Sequence, residues 1–210
     1  MVHADETGLR VEALLKWVHS ASTTELTLYH LDAKRGTAAM NAMGVIGHLD
    51  GVLVHDGWAP YRRYTNVTHA LCNAHHLREL EAVADTTGQG WATDMIELLC
   101  GAWTLVLDAK QQHHTALDAD TLDTVRANYR TIIAAGHNAN PPPEPTGKRG
   151  RPKRTKAANL LLRLDTHTND VLRFTTDFTV PFDNYADVLV MPMLGRRAFP
   201  ALRFGLACSA

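Results

Sequence analysis

The chain is 210 residues long, room for one ordinary domain or one carrying an insertion, and too short for two large ones. At 45% apolar and 20% charged residues it has the composition to bury a core, which excludes disorder over its whole length. The net charge of -1 hides an asymmetry, because Lys148 to Lys156 carries six positive charges and no acid, a strip suited to a polyanion.

From residue 1 to about 58 the pattern is rich in strands. Val2 to Val11 reads as a first strand, Leu14 to Ala21 as a second, and Leu26 to Leu31 as a third after a Ser22-Thr-Thr-Glu25 connection. Connections this short suit hairpins. Thr37 is placed to cap a helix running through Ala38, Met40 and Met43. Gly51-Val-Leu-Val-His-Asp56 is a continuous apolar run that ends at an acid, the pattern of a buried strand. The start, Met1-Val-His-Ala-Asp5, has neither a basic n-region nor an apolar h-region, so no secretory signal is expected.

Residues 69 to 135 change character. Ala70 to Ala84 places Leu71, Ala74, Leu77, Leu80 and Val83 at helical spacing; Trp91 to Leu107 gives a second helix, and Asp120 to Ala135 a third, stopped by Gly136. The longest apolar stretch, Leu98 to Leu107, is about half a membrane span, so no transmembrane helix and no membrane partner are expected. Asn140-Pro-Pro-Pro-Glu-Pro145 forces extended geometry ahead of the basic strip, which makes residues 137–157 a linker. A further helix is expected from Ala158 to Phe178. Beyond Pro181 the period is lost, and Val188 to Ala210 holds no acid.

Asp5 and Asp56 stand in or at the end of apolar strands, an expensive place for a carboxylate without a partner or a metal. Two such acids in one sheet could hold Mg²⁺, whose shell of waters needs few carboxylates; the competing reading is a pair of strand-end acids. Cys72-Asn-Ala-His75 puts a thiol and an imidazole on one helical face. No second pair stands at zinc spacing, so Cys72 and His75 read as a structural motif and zinc is not expected. The three cysteines, Cys72, Cys100 and Cys208, are odd in number and widely spaced, which fits reduced thiols in a cytoplasm. In the strip, Lys148, Arg149, Arg151, Lys153, Arg154 and Lys156 are candidate DNA contacts. Arg149-Gly-Arg-Pro152 resembles an AT-hook, whose extended core lies in a narrow A·T minor groove; a solvated linker touching phosphates is the alternative, and either binds more weakly as salt rises. P-loop, dinucleotide-binding and nucleophile-elbow patterns are missing from the sequence.

Taken in order, His3-Ala-Asp5-Glu-Thr7, His55-Asp56-Gly-Trp58, Cys72-Asn-Ala-His75-His76-Leu-Arg-Glu-Leu80, the proline run with its basic tail and Val180-Pro-Phe-Asp-Asn184 resemble the insertion-sequence-66 family transposases, over roughly residues 2 to 184. The resemblance implies an α/β fold of the ribonuclease-H-like kind, a mixed sheet with a helical insertion after the second catalytic Asp strand. It divides the chain into the N-terminal half of the catalytic core (1–68), the insertion (69–136), the linker (137–157), the C-terminal helical part of the core (158–187) and a divergent tail (188–210). It also implies a DDE mechanism, in which two Mg²⁺ or Mn²⁺ ions held by two Asp and one Glu activate water and then a DNA 3′-hydroxyl for strand cleavage and transfer. Asp5 and Asp56 match the first two acids. The third departs from the pattern: Asn184 is followed by Tyr185-Ala-Asp187 with no Glu, leaving Asp187 as a shortened stand-in. The expectation is a truncated transposase domain of a bacterial cytoplasm, crippled at its third acid, acting on transposon ends and target DNA and open to self-assembly. The alternative is a non-catalytic remnant that holds DNA by the basic linker.

Overall fold

A computed structural model describes residues 1–142 and 154–184. The chain divides into two compact units, one formed by Met1–Cys72 with the segment from Val180 onward, the other by Asn73–Thr179.

The first unit is built on five strands: β1 (Val2–Val11), β2 (Leu14–Ser22), β3 (Thr27–Asp32), β4 (Gly51–His55) and β5 (Val67–Leu71). Their order is β3-β2-β1-β4-β5. The first three strands form an antiparallel meander, and β4 and β5 add to β1 in parallel. The sheet is therefore mixed, as the strand-then-helix-then-strand pattern predicts. Glu12 and Ala13 both have positive φ, at 51° and 65°, and they link Val11 to Leu14, which face each other. Two left-handed residues are what a type I′ turn needs to match the strand twist.

Period-two alternation sorts the side chains of β1. Val2 and Ala4 face a core with Ala21, Leu53, Met40 and Ile46. Part of that core comes from the helix α1 (Thr37–Met43) and from two 3-10 turns, Ile46–His48 and Ala59–Arg63. Gly44 closes α1 at φ 76° and donates to Asn41 O, a left-handed cap that glycine takes without a Cβ penalty. The cap at the other end is Gly36 with no side-chain bond, so Thr37 is the first helical residue rather than the expected N-cap. On the opposite face of the sheet, Val54, Ala70 and Val180 form a smaller cluster.

β5 overturns the expectation of a helix beginning at Ala70. Val67-Thr-His-Ala-Leu71 is a short apolar run that periodicity alone cannot assign, and Leu71 also fits the helical spacing that follows. Pairing with β4 decides it, with Val54 opposite Ala70 and His55 opposite Leu71.

The second unit is helical: α2 (Asn73–Thr87), α3 (Gly90–Gln111), α4 (Ala119–Ala139), α5 (Lys156–Thr166), α6 (Thr168–Val171) and α7 (Arg173–Thr176). Leu80, Met95, Leu99, Tyr129, Leu160, Leu161 and Leu164 are fully buried, and the Tyr129 hydroxyl donates to Leu164 O at 3.0 Å. Asp118 and Thr155 cap α4 and α5 by accepting from Thr121 N–H and Ala158 N–H, each cap worth about 1 kcal/mol. α4 does not stop at Gly136 but continues to Ala139; a Cβ at Gly136 would lie 2.5 Å from Leu161 Cδ1 and 3.2 Å from Trp91 Cδ2. That glycine serves packing, and nothing local to it ends the helix. The expected helix from Ala158 to Phe178 is broken into three, at His167 and at Leu172. Thr168 and Thr175 turn their hydroxyls onto the carbonyls of Leu164 and Leu172, local bonds that compete with a regular helix.

Among the described residues, no helix is long and apolar enough to cross a membrane.

Candidate active site

β1 and β4 run parallel, with Val2 opposite Leu53 and His3 opposite Val54. Two steps further along both strands, this register sets Asp5 level with Asp56. Both belong to the face of His3 and Val54, because side chains alternate. The two acids are 51 positions apart in sequence, and the register sets Asp5, within β1, level with Asp56, just past the carboxyl end of β4. Both are half-buried.

Each acid is held by its own backbone. Asp5 Oδ1 accepts from Glu6 N–H at 2.8 Å, and the Ser20 hydroxyl donates to Asp5 O at 3.2 Å. Asp56 Oδ1 accepts from Trp58 N–H at 2.7 Å, an Asx turn. Between them Gly57 takes φ 88°, the left-handed region where glycine is unstrained. Its N–H donates to His55 Nδ1 at 3.0 Å, and Cys72 N–H donates to His55 O at 2.9 Å. The loop carrying Asp56 is thus tied on both sides.

Glu6 turns to the other face, into the core. Its Oε2 accepts from the Tyr61 hydroxyl at 2.6 Å, and its Oε1 accepts from Arg35 Nε at 2.9 Å and also from Nη2. The Arg35 guanidinium lies 3.9 Å from the Trp58 ring centroid, a cation–π contact. Burial raises the Glu6 pKa above the ordinary carboxylate value, against the lowering by Tyr61 and Arg35, and the charge of Asp56 adds to the rise. Tyr61 is pushed well up, first by burial, then by the charge of Glu6 and its hydrogen bond, with Asp5 and Asp56 contributing. The tyrosine therefore stays protonated, as a donor must.

His3 and Asn184 bond through their side chains. Asn184 N–H donates to Cys72 Sγ at 3.2 Å, and its amide donates to Ala4 O at 3.5 Å. These bonds clasp the Val180-Pro-Phe-Asp-Asn184 segment to β1 and to the end of β5. The thiol of Cys72 is an acceptor in that clasp, and His75 stands half-buried in the first turn of α2. Among the described residues, no group of three or more His, Cys, Asp or Glu side chains is placed to hold a metal.

The register of β1 and β4 therefore sets Asp5 and Asp56 level with each other. Asp187, Lys148, Arg149, Arg151 and Lys153 lie outside the described residues. Arg154 and Lys156 flank Thr155, the cap of α5. Sequence reasoning gave no role to Glu6, Tyr61, Arg35 or His55, and weighed His69 only as a zinc ligand at no recognisable spacing. Period two offered one signal: adjacent acids on a strand must point to opposite faces, so Asp5 and Glu6 cannot share one role.

A family profile described as Transposase IS66 family matches residues 1–188. The chain belongs to that family. The match bears out the resemblance read from the motifs, and it runs one residue beyond Asp187. No curated protein and no solved structure matches the chain. The span matched to the IS66 family contains Asp5, Asp56 and Asp187.

Proposed function

We propose that the chain is a DNA transposase domain in which Asp5, Asp56 and Asp187 form the carboxylate set for metal-dependent strand cleavage and transfer. The observation that carries this reading is the parallel register of β1 and β4, which puts two acids remote in sequence side by side on one face. The mixed five-stranded sheet is compatible with the ribonuclease-H-like arrangement that this chemistry uses. The donor set suits Mg²⁺ or Mn²⁺: hard carboxylate oxygens, half-exposed, few enough to leave most of the shell to water and phosphate. Such an ion supplies charge neutralisation at the phosphate oxygens and a more acidic attacking hydroxyl. The protein's own part is to orient: Asp5 and Asp56 are each fixed by a backbone N–H, so their carboxylates do not have to be ordered when substrate arrives.

Activity is expected to be low. A third acid one methylene shorter than Glu displaces its oxygens, and misplacement by about 1 Å costs on the order of 100-fold in rate. The test is calorimetric titration of Mn²⁺ into the full chain, paired with nicking of a labelled DNA duplex. The expected result is saturable binding lost in Asp5→Asn, and slow cleavage lost in Asp56→Ala. A folded protein that binds no Mn²⁺, yet holds DNA through Arg149, Arg151 and Arg154, overturns this reading in favour of the non-catalytic DNA-binding remnant.

A further inference from the structure

The loop that carries Asp56 rests on a chain of hydrogen bonds whose direction can be deduced. Gly57 N–H donates to His55 Nδ1 at 3.0 Å, so that nitrogen carries no proton. In a neutral imidazole the proton is then on Nε2. His55 Nε2 lies 3.0 Å from His69 Nδ1, so His55 donates and His69 accepts. The proton of His69 is therefore on its own Nε2, which lies 3.1 Å from Tyr64 O, an obligate acceptor. Every link is consistent with the next, and the relay runs one way: Tyr64 O accepts from His69, which accepts from His55, which accepts from Gly57. His55 is fully buried, packed 4.6 Å from the Tyr61 ring and edge-on to His69 at 5.2 Å between centroids.

We infer that His69 is a positioning residue for Asp56, acting through the tautomer of His55. Without an acceptor at His69, His55 is free to carry its proton on Nδ1. That proton would face Gly57 N–H donor to donor, and the turn that aims Asp56 would open. His69 is on the neighbouring strand β5 and pairs with Leu53 on β4, and its route to Asp56 runs through His55. The inference rests on the reading of Asp56 as a metal carboxylate, and its test separates the two.

Long-range ¹H–¹⁵N spectra of the full chain are expected to show both rings as Nε2–H tautomers, with the Gly57 amide protected from exchange. His69→Leu keeps bulk and removes the acceptor, and His69→Asn keeps an acceptor oxygen near the place of Nδ1. The leucine variant is expected to expose the Gly57 amide and weaken Mn²⁺ binding by about tenfold, the scale on which partners of metal ligands act; the asparagine variant is expected to restore both. An Nδ1–H tautomer at either ring overturns the inference, as does a folded leucine variant with wild-type Gly57 protection. If the wild-type chain binds no Mn²⁺, the reading of the acids falls, while the tautomers and the Gly57 amide still decide the relay.

Discussion

His19 lies at the centre of β2, opposite Glu6 on β1 and His30 on β3. It is 1% exposed, and neither ring nitrogen has a well-formed hydrogen bond among the described residues. Burial lowers its pKa below the usual histidine value; His30 and Arg35 add to the lowering, and the Lys34 backbone and Asp32 oppose it. A histidine harder to protonate when folded stabilises the fold above its unfolded pKa of about 6.5, and that contribution is lost as pH falls towards the folded pKa. Urea midpoints are therefore expected to drop between pH 7.5 and 5.5 in the wild-type chain and to drop less in His19→Gln. Equal drops in both would assign the acid sensitivity elsewhere. Asp5 and Asp56 were legible at this scale because an acid in an apolar strand is costly and so conspicuous. His19, Glu6 and His69 were not, since their roles depend on which strand lies alongside, and one strand's sequence does not carry that.

Among the elements, the hairpins, α1, α3 and β4 are close to what their own patterns predict. β5 and the far end of α4 are not, and the reason is the same in both. Val67–Leu71 becomes a strand because β4 offers a parallel partner, and position 136 is a glycine within α4 because Leu161 and Trp91 leave no room for a Cβ. Tertiary contacts outvote local preference at both places. On an open helix face Gly→Ala gains up to about 1 kcal/mol. Here the added methyl must displace a fully buried leucine, so Gly136→Ala is expected to destabilise by about 1 kcal/mol net. Urea unfolding measures this directly, and a stabilised variant would show the contact with Leu161 to be soft.

For the whole molecule, charge and fold are assigned to different stretches of the chain. Residues Lys148 to Lys156 hold six of its cations, whereas Asp5 lies in β1 and Asp56 directly follows β4. Replacing Arg149, Arg151 and Arg154 with Ala is expected to lower the slope of log affinity for DNA against log salt by about 3, roughly one unit per lost phosphate contact, without changing Mn²⁺ binding. A salt-titrated filter-binding assay reads the slope, and an unchanged value would place the phosphate contacts elsewhere. The alternation of β1 carries a last consequence. Because Asp5 and Glu6 are consecutive, a strand shifted by one residue would still offer an acid to Arg35 or an acid beside Asp56, though never both. Charge therefore rejects only half of each wrong frame. What rejects the rest is hydrocarbon: Val2 and Ala4 would leave the packed face, and His3 would be driven into it. The fidelity of the acid pair is thus guarded as well by side chains that carry no charge at all.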